Sequence, residues 1–182
     1  MKKVGVFFAE GFEEIEGLTV VDILRRAGIE TEMISITADR KVTGGHGITI
    51  MTDATIDQIE GSALAMIVLP GGGQGTANLE ACESLMTAVD EFHARQRPIA
   101  AICAAPSILG HRGILQGRVA CSYPDFEGHL HGATVSREPA VCDGHVITGR
   151  GMGCAIQFSL AIVEYLKSRE AADQIATSII FS

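Results

Sequence analysis

Short apolar runs alternate with helix-patterned stretches through most of this 182-residue chain, and that alternation constrains the fold more than any single motif. Val4–Phe8, Thr31–Ile36, Ala65–Leu69 and Ile99–Ile102 read as buried strands. Val119–Ser122 and His145–Thr148 read as further strands. Glu13–Ala27, Ser84–Arg95 and Cys154–Lys167 carry helical spacing, as do the segment from Ala105 and the final stretch Ala171–Ile179. In the first helix Ile15, Leu18, Val21 and Leu24 share a face. Acids open it, Arg25 and Arg26 close it, and Gly28 stops it. Val42–Met51, with Gly44-Gly45 inside, predicts a hairpin-like excursion. Parallel strands need crossover connections, so this order predicts an α/β sandwich: a mostly parallel central sheet with helices on both faces. No repeat or linker divides the chain, so residues 1–182 read as a single domain.

Composition narrows the function. Net charge is −8, with 47% hydrophobic and 20% charged residues, and no basic patch is visible. Nucleic acid is therefore not expected as the primary ligand. The apolar run after Met1 ends at Glu10, too soon for a signal peptide. No stretch is long enough for a membrane span. Five cysteines in an unpaired pattern predict free thiols and a cytoplasmic setting.

Three strand ends carry the chemistry: Ala9–Phe12, Pro70–Gly75 and Cys103–Pro106. In folds of this class such ends converge on the ligand site. Cys103 follows an apolar strand directly and precedes small residues and Pro106. Two readings stand: a buried structural cysteine, or a nucleophile held in a tight elbow, its thiolate favoured by a helix N-terminus. Pro70-Gly-Gly-Gly-Gln-Gly-Thr76 matches neither a dinucleotide fingerprint nor a phosphate loop. It reads as a tight turn or as a source of a backbone N–H donor. Glu16 stands one turn into the first helix, either as a solvated acid or pointing back to the sheet edge. Beside a thiolate it would stay protonated and move protons.

These residues together resemble the ThiJ/PfpI superfamily, in its parkinsonism-associated deglycase subgroup. The resemblance rests on Phe12-Glu-Glu-Ile-Glu16 with Arg25-Arg-Ala-Gly28, Leu69-Pro-Gly-Gly72, Ala100-Ala-Ile-Cys-Ala-Ala-Pro106, and Thr148-Gly-Arg-Gly151 with Phe158–Glu164. It implies a flavodoxin-like sandwich and a homodimer, with no metal or organic cofactor. It implies Cys103 as nucleophile, Glu16 as its acid partner, and Gly72 and Ala104 as backbone donors. Gly71, Tyr123 and Arg26 are implied as pocket residues. The implied substrates are glyoxal, methylglyoxal or their early amine and thiol adducts, converted to 2-hydroxy acids. A non-enzymatic oxidative-stress sensor or chaperone using the same cysteine is the alternative.

Departures from the subgroup sharpen this reading. Tyr123 stands where a His is common, and His46 where a second arginine is expected. Ala104 follows the cysteine where the peptidase-like branch has His, which disfavours peptidase activity. His129 and His131, with Asp125 and Glu127 nearby, are the only close His pair. They lack a zinc-binding frame and read as a solvated loop. Cys154 opens the late helix without a matched acid and reads as packing. Cys82, Cys121 and Cys142 read as packing or surface thiols.

Overall fold

A computed structural model describes residues 2–60 and 63–181. The strands are β1 (Lys3–Phe8), β2 (Thr31–Ser35), β3 (Lys41–Thr43), β4 (Thr49–Met51), β5 (Ala54–Thr55), β6 (Leu64–Leu69), β7 (Ile99–Ile102), β8 (Val119–Ala120), β9 (Thr134–Val135), β10 (Ala140–Asp143) and β11 (Val146–Gly149). The helices are α1 (Glu14–Arg26), α2 (Gly73–Ala81), α3 (Glu83–Ala94), α4 (Pro106–His111), α5 (Ala155–Leu166) and α6 (Arg169–Ser178).

Seven strands form the central sheet in the order β10-β11-β7-β6-β1-β2-β5. All neighbours are parallel except the β10–β11 edge pair. The inner five, β2-β1-β6-β7-β11, follow the flavodoxin-like 2-1-3-4-5 order, whose switch point lies between the first and third of these strands in sequence, β1 and β6.

Strand alternation divides the core in two. Val4, Val6 and Phe8 of β1 join Met66 and Val68 of β6, and Ala100 and Ile102 of β7, on one face. Helices α1, α5 and α6 cover this face through Val20, Leu24, Phe158, Ile162 and Ala172. Phe7, Ile67, Leu69, Ile99 and Ala101 point the other way, toward Leu79 of α2, Val89 and Phe92 of α3, and Ile108 of α4. The period-2 splitting of buried strands accounts for both layers.

Several sequence expectations shift. The glycine stretch is not a loop throughout, because α2 begins at Gly73, with Gly72 as its N-cap. Val119–Ala120 is not in the main sheet; it pairs with β9 in a separate two-stranded ribbon. Edge strand β10 has no sequence-based counterpart: it is a mixed polar and apolar segment, half-buried at best. Val42–Met51 forms the expected hairpin, β3 against β4.

Candidate active site

The three strand ends converge at the switch point, as expected from parallel topology. The turn after β1 lies on the turn after β6. The Glu13 N–H donates to the Gly71 carbonyl (3.0 Å), and the Gly75 N–H to the Gly11 carbonyl (3.1 Å). Glycines permit this approach. Gly72 has φ +90°, and a Cβ there would lie 2.7 Å from the Glu13 nitrogen. Gly75 is similarly confined by the Phe12 backbone.

Glu13 is the N-cap of α1 rather than a member of its first turn; its carboxylate accepts from the Glu16 N–H (2.7 Å). That fixes the first turn and directs Glu16 inward. Glu16 is fully buried. Its Oε2 accepts from the Gly71 N–H (3.0 Å), while its buried Oε1 has no partner of hydrogen-bond geometry. The group it acts upon is the Cys103 thiol.

Cys103 sits between β7 and α4 with φ +65°, a left-handed conformation that costs a non-glycine residue about 1–3 kcal/mol. Hydrogen bonds hold it there: its N–H donates to the Gly149 carbonyl (2.9 Å), and its carbonyl accepts from the Tyr123 N–H (2.9 Å). A strained residue held by its surroundings in this way often marks a functional position.

Electrostatically the two groups behave as one unit. Burial pushes the Glu16 carboxyl up to about 7, opposed by its interaction with the nearby Cys103 thiol and by the Gly71 N–H bond. Burial also pushes the Cys103 thiol up, to about 12, and the neighbouring Glu16 carboxyl adds to that. The Gly72 and Ala104 N–H groups act in the opposite sense, favouring the thiolate. This corrects the expectation of a thiol acidified by a helix N-terminus. The helix α4 has six residues and starts with a proline, which has no N–H to offer. Burial outweighs it. When Glu16 carries the proton, its charge no longer opposes the thiolate. The pair therefore titrates as coupled sites, not as an independently acidic cysteine.

The structure gathers Cys103, Glu16, Gly71, Gly72 and Ala104. A Cβ at Gly71 would lie 2.6 Å from the Cys103 Cβ and overlap the Glu16 carboxyl, so only glycine fits between the pair. Tyr123 contacts Cys103 through its backbone; its ring is exposed near Gly151. Arg26 is not brought to Cys103 within this chain. It lies ten residues beyond Glu16, about 15 Å along α1, and pairs with Asp22 (2.6 Å). His46 is exposed, but its ring and backbone engage Glu14.

Glu14 is the residue sequence reasoning missed. It was indistinguishable from a solvated first-turn acid, yet it is buried. Its carboxylate receives the His46 N–H (2.7 Å) and His46 Nδ1 (2.8 Å), which ties the β3–β4 hairpin to the start of α1. The adjacent Gly44 was the available signal, since a Cβ there would collide with the Glu14 carboxyl. Cys121 is buried, and Thr148 Oγ1 accepts from its N–H (3.0 Å). Cys142 is exposed, and Cys82 and Cys154 are half-buried.

Residues 2–165 match the DJ-1/PfpI family. The chain is 35% identical to Protein DJ-1 homolog A of Arabidopsis thaliana over 98% of its own length. It spans only 46% of that relative. It is 31% identical to Protein dj-1beta of Drosophila melanogaster, covering 98% of this chain and 97% of that one. The glutathione-independent glyoxalase DJR-1.2 of Caenorhabditis elegans is 29% identical, with 91% and 89% covered. Among solved structures, the oxidized DJ-1 of Toxoplasma gondii superposes with a TM-score of 0.95 at 31% identity, covering both chains completely.

Proposed function

The chain belongs to the DJ-1/PfpI family, and from that premise we propose that it is a cysteine enzyme acting on glyoxal, methylglyoxal or their early amine and thiol adducts. One observation carries this reading: the side chains of Cys103 and the buried Glu16 close on either side of Gly71, beside the Gly72 and Ala104 N–H groups. The glyoxalase name of the Caenorhabditis elegans relative supports the substrate class.

The chemistry follows from these groups. The sulfur adds to the aldehyde carbon, forming an S–C bond, and the thiol proton passes through Glu16 to the carbonyl oxygen. The Gly72 and Ala104 N–H groups hold the developing oxyanion. Glu16 then moves the proton from the aldehyde carbon to the neighbouring carbonyl carbon by way of an enediol. This leaves a 2-hydroxyacyl thioester. Water cleaves it to the 2-hydroxy acid and restores the thiol. The aldehyde carbon is oxidised and the ketone carbon reduced, so no external oxidant is needed. The strained strand–Cys103–helix corner acts as a nucleophile elbow.

The test is lactate formation from methylglyoxal in the absence of glutathione. Turnover supports the proposal; absence of turnover, with Cys103 intact and reduced, contradicts it. The partial exposure of Cys103 favours one second reading, an oxidation sensor. A sulfinate there would accept from the protonated Glu16 and the two N–H groups. Mass spectrometry after mild peroxide separates the readings: preferential oxidation of Cys103 without turnover selects the sensor.

A further inference from the structure

Three imidazoles meet about α4 and the loop beyond it, apart from the Cys103 site. His111 is the last residue of α4, His129 ends a 3-10 turn over Pro124–His129, and His131 lies two residues on. His111 Nε2 is 2.9 Å from His129 Nδ1. The His111 ring lies 5.1 Å from that of His129 and 5.3 Å from that of His131. One ring nitrogen from each of the three falls within 4.8 Å of the others.

The surroundings build this arrangement. Gly110 has no room for a side chain, because a Cβ there would collide with the His129 carbonyl and lie 2.9 Å from the His131 nitrogen. The loop therefore lies directly on α4. Leu130 is buried and has φ −79° and ψ 60°, an inverse γ-turn. The His131 N–H donates to the His129 carbonyl across it (2.9 Å). The apolar residue anchors the loop and leaves its two flanking imidazoles exposed. Glu80 Oε1 lies 2.7 Å from His111 Nδ1. A carboxylate there fixes the proton on Nδ1 and leaves Nε2 as the ligating atom, the usual outer-shell support of a metal-bound histidine.

We propose that His111, His129 and His131 form a three-imidazole site for zinc or a similar divalent first-row transition ion, with Glu80 orienting His111. Tetrahedral zinc with Zn–N bonds of about 2.0–2.1 Å places ligand nitrogens about 3.3 Å apart. The closest pair needs to open by only about 0.4 Å on that basis. The all-nitrogen donor set suits zinc, copper or nickel and disfavours calcium and magnesium. The exposed face leaves the fourth position to water. A bound ion clasps the C-terminal end of α4 to residues 129–131. The near end of the same loop is already held by the Tyr123–Cys103 backbone bond.

The test is isothermal titration of metal-free full-length protein with Zn²⁺, in wild type and in Cys103→Ser, so that binding by that thiol is separated from binding at the triad. One equivalent at about 10 μM or tighter is expected in both. His129→Gln and His131→Gln should each weaken it at least about tenfold, and Glu80→Gln by about tenfold. Thermal melts of the metal-free variants should match wild type, since all these side chains are at the surface. With Co²⁺ in place of Zn²⁺, a tetrahedral visible spectrum should appear and vanish in His131→Gln. Retention of wild-type affinity in His129→Gln or His131→Gln would overturn the proposal. So would loss of binding in Cys103→Ser, or no binding in wild type.

Discussion

Gly71 sits between the side chains of Glu16 and Cys103: its N–H donates to Glu16 Oε2, and a Cβ in its place would press on both. The first consequence is for Gly71→Ala. The added methyl displaces the carboxyl from the sulfur. A loss of about 1–3 kcal/mol in stability is expected from overpacking. A fall in kcat of at least about a hundredfold is expected from misalignment. Urea denaturation alongside methylglyoxal kinetics checks both. Unchanged kinetics would mean that Glu16 need not sit where it does.

Glu16 should make stability depend on pH in a direction opposite to that of most carboxylates. Its folded value, about 7, lies above its ordinary value of 4.5 because burial disfavours the charge. Between those values the folded chain holds the proton more tightly than the unfolded one, so stability falls as pH rises through that window. Glu16→Gln removes the penalty while keeping an acceptor for the Gly71 N–H. Relative to wild type, the variant should gain about 3 kcal/mol on going from pH 4 to pH 8. Its turnover should fall by about 10²–10⁴ through loss of proton transfer. Denaturation curves at the two pH values check the stability, and an equal difference at both contradicts the assignment.

Glu14 should behave in the opposite way. Burial pushes its carboxyl up, but the hydrogen bonds from His46 and Ile48 outweigh that and hold it below 4.5. Its stabilisation is present above pH 4.5 and is lost as pH falls through the lower folded value. Glu14→Gln should cost about 1–3 kcal/mol at pH 7. It should also speed hydrogen exchange at the His46 and Ile48 amides. Unchanged exchange at those amides would show that another contact holds the hairpin.

The sequence made the architecture legible where strands are buried on both faces. Val4–Phe8 and Ala65–Leu69 are apolar at every position, and their ends point to one edge of the sheet. Cys103 was visible because it follows such an end directly; Glu16, one turn into α1, was assigned only through the family resemblance. Helix α2 was hidden by its own composition. Three successive glycines read as a turn, yet the helix starts within them, because Gly72 supplies the left-handed cap and Leu79 is buried. Edge strand β10 lacks an apolar pattern, since on its outer side it pairs with no further strand of the central sheet. The balance at Cys103 was not readable either. Burial and the Glu16 charge are tertiary effects, and they reverse the sense expected from a nearby helix start. His111 likewise joins His129 and His131 only through the packing of Gly110 against the loop.

The most direct test of the cysteine mechanism is the rate of lactate formation from methylglyoxal by wild type beside Cys103→Ser, at matched folding and pH. Expected is turnover in wild type and a loss of at least about 10³-fold in the serine variant, because serine keeps the shape but not the nucleophile. Equal turnover by the two proteins would contradict a mechanism built on Cys103.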